Sequence, residues 1–93
     1  MSTIRFHRVP FETNEAPATG VLIKIFRVRG EIVATVTRYH WFEPDGHQHT
    51  GYIDQVITKP TCADDVLIEF RKHGGQIALE SDDLWTERWG VLG

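Results

Sequence analysis

The run from Val21 to Phe42 reads VLIKIFRVRGEIVATVTRYHWF. It is a long series of β-forming residues interrupted once, at Gly30. Val21, Ile23 and Ile25 share one face of an extended chain, and Leu22, Phe26 and Val28 share the other. Apolar residues on both faces mark an interior strand. Gly30 with Glu31 reads as a tight reversal, because glycine accepts the positive φ that hairpin turns demand. The return arm puts Ile32, Ala34 and Val36 on one face and Val33, Thr35, Thr37, Tyr39 and Trp41 on the other. An antiparallel hairpin is therefore expected at the centre of the molecule.

On the N-terminal side, residues 3–9 alternate Ile4 and Phe6 with Arg5 and His7, then stop at Pro10. Proline cannot donate to a ladder, so this short strand belongs at an edge. Residues 11–20 read as a polar connection rich in turn formers. On the C-terminal side, Glu43 to Gly51 is a polar loop around Pro44-Asp45-Gly46. Residues 52–59 then alternate Ile53 and Ile57 with Asp54, Val56 and Thr58, a further strand. Four strands on short connections make an N-terminal meander.

The helix signal spans about residues 62–73. Thr61 stands where a cap would, and Asp64 follows three residues later, a weaker form of the capping box. Asp64 and Asp65 in the first turn and Arg71 and Lys72 in the last suit the helix dipole. Gly74 is a natural left-handed stop. Ala63, Val66, Leu67 and Phe70 form one apolar stripe, with Ile68 pointing away from it. Residues 76–80 read as a short strand. Ser81 to Gly90 reads as a helical turn carrying Leu84, Trp85, Arg88 and Trp89, preferred over a hairpin into a last strand. The expected architecture is one α+β domain over residues 1–93: a small antiparallel sheet of about five strands with one main helix packed on one face.

Composition supports this class. Ninety-three residues suit one domain. With 41% hydrophobic and 25% charged residues, the chain is that of a folded soluble protein, not a disordered one. Cys62 is the one cysteine, which excludes an internal disulfide and a cysteine-rich metal framework. The opening Met-Ser-Thr-Ile-Arg has no basic region followed by an apolar run, so a cytoplasmic protein without a secretory signal is expected. No stretch approaches the roughly 20 apolar residues of a membrane span. The net charge of −3 is unevenly divided: the chain carries +3 up to Phe42 and −6 from Glu43 onward. Attraction between the halves, within the fold or across a dimer, is the preferred reading over a polyanion-binding face.

Four groups of residues have chemistry to offer. His47 and His49 are two apart in an extended segment, so both imidazoles point the same way. With Asp45 and His40 they supply up to four nitrogen and oxygen ligands for Zn²⁺. Loops also collect histidine, and a solvated loop is the plainer reading. Cys62 falls beside the helical stripe, and a buried small hydrophobe is preferred there over a reactive thiol. Phe26, Tyr39 and Trp41 are stacking platforms, and Lys24, Arg27, Arg29 and Arg38 are phosphate partners. Strand parity separates Arg27 and Arg29 from Lys24 and Phe26, and the pI near 5.9 falls well short of the basic balance of nucleic-acid binders, so nucleic-acid binding is not favoured. Glu80, Asp82 and Asp83 beside a polar turn read as a solvated cap, not as an acid/base pair.

Trp85 and Trp89, with Leu84, Val91 and Leu92, give the chain an aromatic end. Tryptophan and arginine are frequent interface anchors, so Ile68, Trp85, Arg88 and Trp89 are the candidate partner-binding residues. The competing reading, in which this tail folds back to seal the core, is slightly preferred. No motif names an activity. The expected function is a non-enzymatic protein-interaction or regulatory domain, with a homodimer compatible with it. The alternatives are a metal-binding protein or small metal-dependent enzyme at His40, Asp45, His47 and His49, and single-stranded nucleic-acid binding on the sheet.

Overall fold

The computed structural model describes residues 5–18, 20–42 and 52–93. Strands β1 (Phe6–Val9), β2 (Val21–Val28), β3 (Glu31–Phe42), β4 (Tyr52–Ile57) and β5 (Thr61–Cys62) precede helix α1 (Ala63–Phe70) and strand β6 (Gly75–Leu79). Two 3₁₀ turns, Asp82–Leu84 and Glu87–Trp89, follow. The fold is α+β, a six-stranded mixed sheet carrying one helix on one face.

β2 and β3 form the expected antiparallel hairpin, paired from Val21↔Arg38 to Val28↔Glu31. Its two loop residues are Arg29 (φ 51°) and Gly30 (φ 82°). Both have the positive φ of a type I′ reversal, which suits the right-handed twist of the flanking strands. The turn thus sits one residue earlier than Gly30-Glu31. β4 continues antiparallel to β3, from Thr37↔Ile57 to Phe42↔Tyr52.

The wholly antiparallel meander is corrected by β6. The strand order is β1-β6-β2-β3-β4, and β6 runs parallel to both β1 and β2. Gly74 and Gly75 permit this insertion. At Gly74 a side chain would meet the Arg5 carbonyl oxygen at 2.0 Å, and φ there is +74°. At Gly75 a side chain would meet Val21 Cγ2 at 2.7 Å, and the Gly75 N–H donates to Arg5 O at 3.0 Å. Only glycine allows the Arg5 backbone and the Val21 side chain so close. Ile77, Ala78 and Leu79 are then buried, as both faces of an interior strand require.

α1 is shorter than the expected 62–73. Thr61 and Cys62 pair with Ala34 and Val33 instead of capping it, and Cys62 at the N-cap makes no side-chain capping bond. Arg71 and Lys72 lie in the turn beyond the helix end. The N–H groups of His73 and Gly74 both donate to Phe70 O, at 3.0 and 2.9 Å, and close that end. The stripe Ala63, Val66, Leu67 and Phe70 is buried as expected, against Ile23, Ile25, Ala34, Val36, Ile77 and Leu79. Fully burying one such side chain contributes about 1.5–3 kcal/mol.

The opposite face of the sheet is covered too. Ala16, Leu22 and Ala78 are buried there, with Val9, Phe11 and Tyr39 packed against them. The connection read as merely polar therefore lies over the sheet, and Lys24 Nζ stands 5.0 Å from the Phe11 ring centre. At the chain's C-terminal end, Trp85 packs edge-on against Phe6 and Trp89, with ring centres 5.5 and 5.3 Å apart. Among the described residues no helix is long and apolar enough to cross a membrane.

Candidate functional site

The two sheet edges are treated differently. β1 is followed outward by the tail: Arg8 N–H donates to Gly93 O and Gly93 N–H to Phe6 O, both at 2.9 Å, with Leu92 bridging Phe6 in parallel. Arg8 also pairs with Asp82. That edge is closed and charged, as edge strands usually are. β4 ends the other side of the sheet, and no described residue pairs with its outer edge.

The parity of β4 follows from its end. Thr58 N–H donates to Val36 O at 2.9 Å, and Val36 N–H donates to Thr58 Oγ1 at 3.0 Å. In an antiparallel ladder, residues alternate between bonding inward and outward. Val56 and Asp54 therefore bond to β3, while Ile53, Gln55 and Ile57 direct their N–H and C=O groups away from the sheet. Gln55 confirms this, since its N–H is taken by the Asp54 carboxylate at 2.8 Å. Residues opposite each other share a face, so Ile53, Gln55 and Ile57 project on the face away from α1, beside Thr37 and Tyr39. Ile53 is 64% exposed and Ile57 63% exposed, and the Gln55 amide between them donates to the Tyr39 hydroxyl at 3.4 Å.

The candidate partner-binding residues separate. Trp89 is 3% exposed and belongs to the core. Trp85 is half-buried, with its indole N–H donated to Gly90 O at 3.3 Å. Ile68 is 64% exposed and shares a shallow groove with Arg71, Arg88, Asp64 and Trp89. Arg88 is fixed by a two-pronged bond to Asp64, at 2.6 and 2.7 Å. Trp89 Nε1 donates to the same carboxylate at 2.8 Å. These bonds, the indole's first and then the guanidinium's, hold the Asp64 carboxyl below its ordinary range. Asp83 is lowered likewise, by the Ser81 hydroxyl first and then by Arg27. Both carboxylates are made weaker bases by their partners, the wrong direction for general acid/base work at neutral pH.

Of the candidate metal ligands, Asp45, His47 and His49 lie outside the described residues. His40 lies on β3 opposite Asp54. Among the described residues no three His, Cys, Asp or Glu side chains are placed to hold one ion. Three of the four cations considered for nucleic acid have partners within the fold: Lys24 bonds Asn14 at 2.7 Å, Arg27 reaches Asp83, and Arg38 stands 5.7 Å from the Phe70 ring centre; Arg29 lies in the β2–β3 turn.

Cys62 is exposed, which corrects the expectation of a buried small hydrophobe. It is the last residue of β5, paired across from Val33, and so lies before the helical stripe rather than within it. The edge residues Ile53, Gln55 and Ile57 were legible as a strand but not as a site. Their signal is a six-residue strand with one charge, no lysine and no proline.

In comparisons with known proteins, no family model, no curated protein and no solved structure matches the chain. Its functional reading therefore rests on geometry.

Proposed function

We propose that this chain is a non-enzymatic protein-interaction domain whose contact element is the β4 edge. The observation that carries the reading is the pairing of outward-facing backbone groups with two isoleucines more than 60% exposed on the same residues, Ile53 and Ile57. An extended strand laid along β4 gains main-chain hydrogen bonds from the edge and apolar contact from Ile53 and Ile57. The closed β1 edge confines such pairing to one side of the sheet.

Display of random peptides against the immobilised protein tests this. Enriched peptides should alternate β-branched residues, and their titration should shift the amides of Ile53, Gln55 and Ile57. Enrichment that maps instead to the groove at Ile68, Arg71 and Arg88 would place the contact on α1. No enrichment at all would remove strand pairing as the function.

A further inference from the structure

We infer that the strand seated on β4 is β4 of a second copy of this chain, antiparallel about a two-fold axis through Gln55. This rests on the reading of β4 as a strand-pairing edge and names its occupant.

The register is fixed by the residues that face outward. With Gln55 opposite Gln55 of the second copy, Ile53 stands opposite Ile57 and Ile57 opposite Ile53. Every outward N–H and C=O of Ile53, Gln55 and Ile57 then exchanges bonds with its counterpart, and none is left over. A two-fold axis through Ile53 or Ile57 would leave the groups at the far end of each strand unpaired. The same register gathers four exposed isoleucines into two directly opposed pairs on one face, flanking the Gln55 side chains.

Charge agrees with this arrangement. Asp54 is the one charged residue of the strand, and it falls opposite Val56 of the second copy, not opposite its own equivalent. The rest of the sheet explains why assembly stops at two. Among the described residues each copy offers one open edge, because Leu92 and Gly93 close the other, and an isologous contact that consumes that edge is self-limiting. The product is one continuous sheet with β1 at both ends.

Asp54 also sets the strength of the contact. Its carboxylate already accepts the Gln55 N–H at 2.8 Å, at the centre of the proposed interface. Pairing requires Asp54 to release that donor in both copies. The monomer and dimer therefore compete for one hydrogen bond in each copy, two per dimer, and replacing Asp54 by alanine should raise the association constant on the order of tenfold to a hundredfold.

The test uses the full chain and light scattering across concentration, with a cross-link to read the register. The mass should rise from 10.7 kDa toward twice that value. Ile53→Lys and Ile57→Lys, both at exposed positions, should hold it at the monomer value. In a Cys62→Ser background, Gln55→Cys should form an intermolecular disulfide under mild oxidation, because opposed hydrogen-bonded residues have Cα atoms about 5.5 Å apart, within disulfide reach. Val56→Cys should form far less. A monomer at all concentrations for both the parent and Asp54→Ala overturns the inference. In that case peptide binding at Ile53, Gln55 and Ile57 would leave the edge-pairing reading standing with a different occupant. A dimer insensitive to Ile53→Lys and Ile57→Lys, or cross-linked more readily at position 56, also overturns it.

Discussion

Trp89 donates its indole N–H to the Asp64 carboxylate at 2.8 Å, which ties the last 3₁₀ turn to the first turn of α1. Arg88 grips the same carboxylate from outside, so a single acid joins a core aromatic and a surface cation. The aromatic end of the chain is therefore a structural clamp.

That clamp, and the separate contacts of Asp83 with Ser81 and Arg27, have a pH signature. The folded carboxyls of Asp64 and Asp83 are lowered, so their contribution is complete above the unfolded value of about 3.9 and is lost as pH falls through the lower folded values. The urea midpoint should fall on acidification below about pH 4–5. Asp64→Asn removes the charge, lowers the midpoint at neutral pH and flattens the acid limb. An unchanged acid limb would show that Asp64 contributes nothing to it.

Neighbouring positions on α1 should respond very differently. Leu67 is fully buried, and Leu67→Ala should cost about 2–5 kcal/mol in urea unfolding. Ile68 faces outward, and Ile68→Ala should stay within about 0.5 kcal/mol. Equal effects at the two sites would mean that the helix is rotated from the orientation described.

Glycine positions divide in the same way. Gly30→Ala meets no atom within 4 Å and should cost about 1–2 kcal/mol from its left-handed backbone alone. Gly74→Ala adds a clash with the Arg5 carbonyl and should be clearly worse, with loss of the parallel pairing of β1 to β6. Amide exchange read at β1 would report this directly. A protected β1 in Gly74→Ala would contradict the proposed reason for the glycine.

The open edge should be invisible to monomer stability. Ile53 and Ile57 are both more than 60% exposed, and Ile53→Lys and Ile57→Lys should change the unfolding free energy of dilute protein by about 0.5 kcal/mol or less. A larger loss in dilute solution would make these residues part of the fold rather than of a contact.

The parts legible in the sequence were those written in local periodicity. The β2–β3 hairpin follows from alternation within Val21 to Phe42, and the α1 face follows from the spacing of Ala63, Val66, Leu67 and Phe70. What failed was decided by distant residues. Thr61 has the chemistry of a cap, but pairing with Ala34 claims it for β5. Cys62, read beside the stripe as a buried hydrophobe, pairs with Val33 in the same strand and is exposed. Gly74-Gly75 signals a stop, while its closeness to Arg5 and Val21 depends on strands far away in sequence. The alternation of Ile53 and Ile57 announces a strand, yet whether anything lies beside that strand is not a local property.

The place of β6 bears on the order in which the molecule assembles. β2, β3 and β4 pair with strands adjacent to them in sequence, so this antiparallel part can form early. β1 cannot: Phe6 must wait for Gly75 to emerge and dock beside Val21 before it has a neighbour. Pairings between such remote segments slow folding through the cost of closing long loops. During synthesis the first strand made is thus the last to be secured, and a chain halted before residue 75 leaves Ile23 and Ile25 uncovered along one whole margin.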